Sequence, residues 1–305
     1  MRYYYFNPIS KQYYFPEGFH NYPIFATFYK PYRLITKLLW RSWRASALLR
    51  NLYYTNEPEK FLPIDNIRKY VSSSSILAFN LGTLGNGSNV NVLSVDTITN
   101  EMFFIKYATT EVARKNVLQE GIILEQLSHL PFVPKLQLSV KEGNAYSLIK
   151  TSVFEGFKMK HQPQNEQIMN ILYTLSAQHV TSVRQYNSSM KSCFAHGDFC
   201  PWNMFCCKGD VKLFDWEMAG QYPLGYDLFS YIFQFEFLVN ERMRFDLIIK
   251  QNEDVIQRYF NHFEIENWIP YLQEFSHIKY KLDAKKKSRS LVEYYSKLSK
   301  YAAAI

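Results

Sequence analysis

The sequence predicts an α+β fold in two parts, strand-rich first and helical later. Three observations carry this. From Ile76 the chain breaks into short apolar strands, SILAFNLG, NVNVLSVD and EMFFIKYA, separated by turn residues. A tight hairpin is expected around Gly209. Residues 228–305 then read as helices, LFSYIFQFEFLV and RFDLIIKQNEDVIQRYF, with a basic close at Lys285-Lys286-Lys287. The 305 residues, 47% hydrophobic and 20% charged, are enough for a large core in two lobes or one large domain.

Residues 1–70 read as a basic, aromatic N-terminal extension. Residues 1–32 are rich in Tyr, Phe and Pro. Residues 1–60 hold nine Lys and Arg against three acids, while the other 245 hold 26 against 24. The net charge of +8 therefore sits mostly in the extension. Residues 33–52, RLITKLLWRSWRASALLRNL, are expected as one helix. Leu34, Ile35, Leu38, Leu39, Ala45 and Leu49 share a broad face. Arg33, Lys37, Arg41 and Arg44 form a stripe on another side, with Trp40 and Trp43 between. Two readings are open. The helix can lie on an anionic membrane surface, or it can dock on the body with its cations in water. A nucleic-acid partner is excluded, since the helix is too apolar to track phosphates without a second basic surface. No apolar run reaches the ~18 residues of a spanning helix, and no cleavable leader opens the chain. The expected location is cytoplasmic, with peripheral contact at the inner face of a membrane as the extension of that view.

Residues 71–153 form the expected first lobe. The turn Gly82–Ser88 is neither GxGxxG nor GxxxxGK[ST], and a strand follows it, which argues against Rossmann and Walker phosphate loops. Lys106 sits in the strand FFIKYA. The helical run EVARKNVLQEGIILEQLSHL follows, carrying Glu120 and, as a rival, Glu125. Gly121 is an oddity in a helix. Phe132-Val133-Pro134 breaks the run. A hairpin follows over Leu136–Val140 and Ala145–Ile149, and then Lys150–Phe154 crosses to the second lobe, residues 154–305. Gln164–Val183 is expected as that lobe's first large helix.

The chemistry concentrates in FAHGDFCPWNMFCCKGDVKLFDWE, residues 194–217. Met204–Cys207 and Val211–Phe214 read as antiparallel strands around Lys208-Gly209-Asp210. Centring the turn on Gly209 sets Asn203 opposite Asp215, roughly 4.5–5.5 Å apart. A carboxylate and an amide oxygen are hard ligands of the kind Mg²⁺ takes. Asp198, five residues before Asn203, supplies a second carboxylate able to orient a hydroxyl. All four cysteines, Cys193, Cys200, Cys206 and Cys207, lie beside this stretch in no CxxC pair. They are expected as free thiols in a reducing compartment rather than zinc ligands.

HGDFCPWN followed by LFDWE resembles the signature of the aminoglycoside phosphotransferase and choline kinase family, relatives of the protein kinases. The resemblance covers roughly residues 75–240 by motif. It implies a protein-kinase-like two-lobed fold, with a small antiparallel-sheet N-lobe and a mostly helical C-lobe, binding ATP between the lobes. It implies Asp198 as the catalytic aspartate, Asn203 and Asp215 as Mg²⁺ ligands, and Lys106 with Glu120 as the pair that orients the non-transferred phosphates. Gly85, Gly87 and Ser88 would cover phosphates, and Thr151 and Val153 would flank the adenine. His196 and Asp227 are implied to be structural, and Glu217 either touches a second metal or caps a loop. The expected reaction moves the γ-phosphate of ATP to a hydroxyl of a small-molecule or glycan-like acceptor, such as a cell-envelope precursor. The alternative is a catalytically silent kinase fold used for nucleotide binding or scaffolding.

Overall fold

The computed structural model describes residues 2–6, 13–29, 34–82, 87–186, 189–285 and 289–305. The chain divides into two compact units, Met1–Glu125 with Pro134–Glu155, and Gln126–Val133 with Gly156–Ile305.

Unit 1 is built on an eight-stranded sheet. Its strands are β1 (Tyr3–Phe6), β2 (Tyr13–Pro16), β3 (Tyr54–Thr55), β4 (Ser75–Asn80), β5 (Val90–Asp96), β6 (Met102–Ala108), β7 (Leu136–Glu142) and β8 (Tyr146–Ser152). They lie in the order β3-β1-β2-β4-β5-β6-β8-β7. The stretch expected to stand as an extension is thus hydrogen-bonded into the sheet, with Tyr13 and Tyr14 registered against Asn80 and Phe79. Alternation explains why. In β1 to β5 successive apolar residues point to opposite faces. Tyr3, Tyr14, Leu77, Phe79 and Val92 enter one core, while Tyr4, Phe15, Ala78 and Leu93 enter the other.

The helices of unit 1 are α1 (Phe25–Phe28), α2 (Leu34–Ala45), α3 (Ala47–Asn51), α4 (Ile64–Arg68) and α5 (Glu111–Gln126). The single helix expected over 33–52 is broken at Ser46. That residue takes an extended backbone, and its hydroxyl accepts from Leu49 N at 3.3 Å, capping α3. Trp40 and Trp43, whose rings stack at 5.3 Å, dock α2 on the core of Phe15, Phe19 and Phe25. An indole buries more surface than a leucine, so the tryptophan side takes the contact. Ile35, Leu38 and Leu39 are left in water at 74%, 54% and 58% exposure. Docking therefore uses the opposite side from the one its aliphatic residues suggested. Arg33 lies outside the described residues.

Unit 2 holds β9 (Phe157–Lys158), β10 (Arg184–Gln185), β11 (Ser192–Ala195), β12 (Met204–Cys207), β13 (Asp210–Leu213) and β14 (Gly220–Pro223). They make two three-stranded sheets, β10-β14-β11 and β13-β12-β9. Its helices are α6 (Glu166–Ser176), α7 (Tyr226–Phe229), α8 (Phe235–Leu238), α9 (Phe245–His262), α10 (Ile269–Lys285) and α11 (Arg289–Ala302). The helix expected over 164–183 is shorter: Asn165 caps its start, accepting from Gln167 N and Ile168 N, and it closes at Ser176, where Ala177 N donates to the Tyr173 and Leu175 carbonyls. A five-residue π turn, Ser230–Gln234, joins α7 to α8. Phe229, Phe233, Phe260 and Phe275 pack ring on ring beneath it.

Candidate active site

The loop after β11 is held from below by Asp227, buried in the first turn of α7. Its carboxylate accepts from His196 N at 2.6 Å and Gly197 N at 2.9 Å. Burial pushes its pKa up to about 7, while the two backbone donors pull the other way. Gly197 has φ +82, and a Cβ there would sit 2.2 Å from the Met218 carbonyl. Only glycine fits so close to the backbone in this conformation. His196 is fully buried. Asp198 N–H donates to its Nδ1 at 3.3 Å, so the ring proton is on Nε2, which donates to the Phe214 carbonyl at 3.1 Å. The imidazole thereby ties the loop to the end of β13, a structural role as expected.

The hairpin corrects one part of the spacing argument. β12 and β13 pair Met204 with Leu213 and Cys207 with Asp210. The turn is the two residues Lys208 and Gly209, with φ 53 and 92, as a type I′ turn requires. The expectation centred a three-residue turn on Gly209 and missed that lysine can take positive φ. Asn203 therefore meets Phe214, whose N–H donates to its carbonyl at 3.0 Å, rather than Asp215. Asp215 follows one residue later in the left-handed region, φ 71, where the chain leaves the strand.

Asn203 is buried, and its amide nitrogen donates to the Asp198 carbonyl at 2.9 Å and to Asp198 Oδ2 at 2.8 Å. This commits the nitrogen to Asp198 and leaves Oδ1 as the oxygen a cation would meet. Asp198 is half-buried, and its Oδ1 accepts from Gln234 Nε2 at 3.0 Å. Among the described residues no group of three His, Cys, Asp or Glu is arranged to hold a metal. Asn203 and Asp215 offer one amide and one carboxylate oxygen, which fits a hard cation whose shell is completed by phosphate oxygens. Cys193 and Cys200 are buried free thiols, and burial drives the Cys193 thiol up to about 12. Cys206 and Cys207 are half-buried.

In unit 1 the strand lysine and helix glutamate meet. Lys106 Nζ and Glu120 Oε2 are 2.7 Å apart, with side chains 7% and 4% exposed. Glu125, the rival, is exposed. Gly121 explains how the pair closes. A Cβ on it would stand 3.0 Å from Ser139 Oγ and 3.1 Å from Ile149 Cγ2. Ile149 is the register partner of Lys106. The missing side chain lets α5 descend onto the sheet beside Lys106, which brings the adjacent Glu120 within reach.

The other expected positions are less tightly defined. Gly85 lies outside the described residues. Gly87 and Ser88 fall between β4 and β5, Thr151 is buried in β8, and Val153 follows that strand. Glu217 is half-buried in a short 3-10 turn. Two residues around Asp198 carried no sequence signal. Gln234 closes the π turn, and Lys279 of α10, 7% exposed, donates to its Oε1 at 2.8 Å.

Residues 160–268 match the model of the phosphotransferase enzyme family. This span contains Asp198, Asn203, Asp215 and Asp227. An amicoumacin kinase solved with AMP-PNP and Ca²⁺ is 13% identical with a TM-score of 0.53, covering 81% of this chain and 96% of its own. A Plasmodium vivax ethanolamine kinase is 11% identical with a TM-score of 0.52, covering 78% and 84%. An aminoglycoside phosphotransferase solved with ADP and hygromycin B is 10% identical with a TM-score of 0.50, covering 81% and 98%. At such identities the likeness shows the fold, which is kinase-like. No curated protein matches the sequence.

Proposed function

We propose that this kinase-like phosphotransferase moves the γ-phosphate of ATP to a hydroxyl of a small-molecule acceptor, with Asp198 orienting that hydroxyl. The observation that carries the reading is the support of Asp198. Its two carboxylate oxygens are gripped by Asn203 and Gln234, at 2.8 and 3.0 Å, while the side chain stays half-exposed. A carboxylate accepts at about four lone-pair positions, so room remains for a substrate hydroxyl. Asn203 Oδ1 and the Asp215 carboxylate would hold a divalent cation, Mg²⁺ in our reading. When bound, it neutralises phosphate charge. Lys106, fixed by Glu120, is the proposed partner of the non-transferred phosphates. Gly87 and Ser88 are proposed to lie over the phosphates, and Thr151 and Val153 beside the base. A silent scaffold would need none of Lys106, Asp198, Asn203 and Asp215, and all four positions are filled by competent residues.

The test is incubation with γ-labelled ATP, Mg²⁺ and fractionated cell extract, for wild type and Asp198→Asn. Label should appear in one organic product with wild type only. Equal labelling by the variant would overturn the assignment.

A second reading, that the acceptor is met at an anionic membrane, is favoured by one observation. Ile35, Leu38, Leu39, Leu48 and Leu52 are exposed along α2 and α3, with Lys37 and Arg41 exposed among them. No acid occurs between Glu17 and Glu57. Arg44 contributes less, since it is half-buried over the Trp40 ring at 5.7 Å. Each exposed cation near such a surface is worth about 1 kcal/mol. Among the described residues, no helix is long and apolar enough to cross a membrane. Liposome co-sedimentation with and without anionic lipid, at low and high salt, tests this against Lys37→Ala/Arg41→Ala and Leu38→Ser/Leu39→Ser. Sedimentation that ignores lipid charge, salt and all four substitutions would leave the helix as a brace alone. A lipid-borne glycan precursor would then lose its support as acceptor.

A further inference from the structure

We propose that Lys279 and Gln234 form a positioning device that sets the rotation of the Asp198 carboxylate. The inference rests on Asp198 being the group that meets the acceptor hydroxyl. It starts from an unusual charge. Lys279 is 7% exposed in the middle of α10, and among the described residues its hydrogen-bond partner is Gln234 Oε1 at 2.8 Å. The rings of Tyr226 and Phe275 stand 5.3 and 6.0 Å from the ammonium. Burying a cation against one amide oxygen and two aromatic faces is costly, and the through-space attraction of the buried Asp227 carboxylate offsets only part of that cost. A purely structural position in this helix would take methionine or leucine at less expense.

What the cation accomplishes follows from donor and acceptor chemistry. The two ends of a glutamine amide are nearly the same shape, and either could face Asp198. An ammonium has donors only, so Lys279 can bind only the oxygen end of Gln234. That forces the nitrogen end toward Asp198, where Nε2 donates to Oδ1 at 3.0 Å. Asn203 Nδ2 fixes Oδ2 at 2.8 Å from the other side. The Cys200 thiol adds a long contact to Oδ1 at 3.9 Å, and the two amide donors on the two oxygens define the carboxylate plane.

The backbone supplies the aim. Gln234 ends the π turn Ser230–Gln234, between α7 and α8. A π turn advances fewer degrees per residue than an α-helix, so it re-aims the side chain at its end, and such turns recur at functional sites. Ser230, at the start of the turn, lends its carbonyl to the Cys200 thiol at 3.9 Å, which seats the same segment on the loop that carries Asp198.

The test uses the whole protein, with water as acceptor, so that no natural acceptor is needed. Hydrolysis of γ-labelled ATP in Mg²⁺ is measured for Gln234→Leu, Lys279→Met, the double variant and Asp198→Asn, with Mg-ADP affinity and Tm alongside. Each single variant should lose about 10- to 100-fold in turnover, the scale of a small misplacement. Mg-ADP affinity should stay within about twofold. Because Lys279 acts through Gln234, the double variant should be no slower than Gln234→Leu alone. Independent structural roles would make the losses multiply. A second readout needs no turnover. The side-chain amide ¹⁵N–¹H signal of Gln234, identified by its loss in Gln234→Leu, should move in both Lys279→Met and Asp198→Asn. Multiplying losses, wild-type turnover in the single variants, or an amide signal indifferent to both partners would overturn the proposal. If Asp198→Asn hydrolyses ATP like wild type, the phosphotransfer reading fails instead, and the amide signal still decides whether the device exists.

Discussion

Removing Glu120 should cost far more stability than removing the whole Lys106–Glu120 pair. The two charges are 2.7 Å apart with side chains 7% and 4% exposed. At an effective dielectric constant near 20 their attraction is about 6 kcal/mol. Dehydrating the two ions costs several kcal/mol each, so the intact pair is near break-even. Glu120→Ala deletes the attraction but leaves Lys106 buried. The expected loss is about 3–5 kcal/mol, a large share of the roughly 5–15 kcal/mol that holds a domain together. Replacing both, as Lys106→Met with Glu120→Leu, removes both dehydration costs and fills similar volume. It should recover most of that loss. The assay is urea unfolding of wild type, Glu120→Ala and the double variant, with hydrogen exchange on β6 and α5 to assign the change to unit 1. Mg-ATP affinity measured by calorimetry should fall in the single variant, where the Lys106 ammonium loses the carboxylate that fixes it, and in the double variant, which has no ammonium. A Glu120→Ala cost below about 1 kcal/mol would refute the reasoning, since that is the value of a pair in water. A double variant as unstable as the single would refute it equally.

Asp198→Asn should lower turnover about 10²–10⁴-fold with nucleotide affinity little changed, as read by single-turnover kinetics. Asp215→Asn should abolish Mg²⁺-dependent nucleotide binding in calorimetry while the unliganded Tm barely moves, because asparagine tolerates the φ of 71 that alanine would not. Gly197→Ala should prevent folding of unit 2 or remove activity altogether, given 2.2 Å between the new Cβ and the Met218 carbonyl, and soluble yield with circular dichroism would show it. Asp227 has a folded pKa raised from 3.8 to about 7, so its contribution is fully present below about pH 4 and is lost as pH rises through 7. Urea midpoints of wild type should carry that slope between pH 4 and 7, and Asp227→Asn should flatten it while starting from a lower baseline.

The sequence alone pointed to the kind of fold and singled out a small set of candidate residues. Asp198, Asn203 and Asp215 were legible because their spacing is local, within one loop and one hairpin, where chain geometry leaves few choices. Lys106 and Glu120 were legible as a strand followed by a helix, though Glu125 could be dismissed only once α5 was seen to bury one face. The tertiary structure decided three matters. The hairpin register shifted by one residue because Lys208 took a left-handed conformation, an energy of about 1–2 kcal/mol that tertiary packing outweighs. The side of α2 that docks was decided by competition between two apolar faces, and aliphatic periodicity alone could not rank them against the indoles of Trp40 and Trp43. Gln234 reaches Asp198 from 36 residues away along the chain, and Lys279 reaches Gln234 from 45, through a π turn that has no signature in composition or period. Short-range covalent geometry is written residue by residue. Which distant side chains gather on one half-buried carboxylate is settled only when the helices compete for the same core.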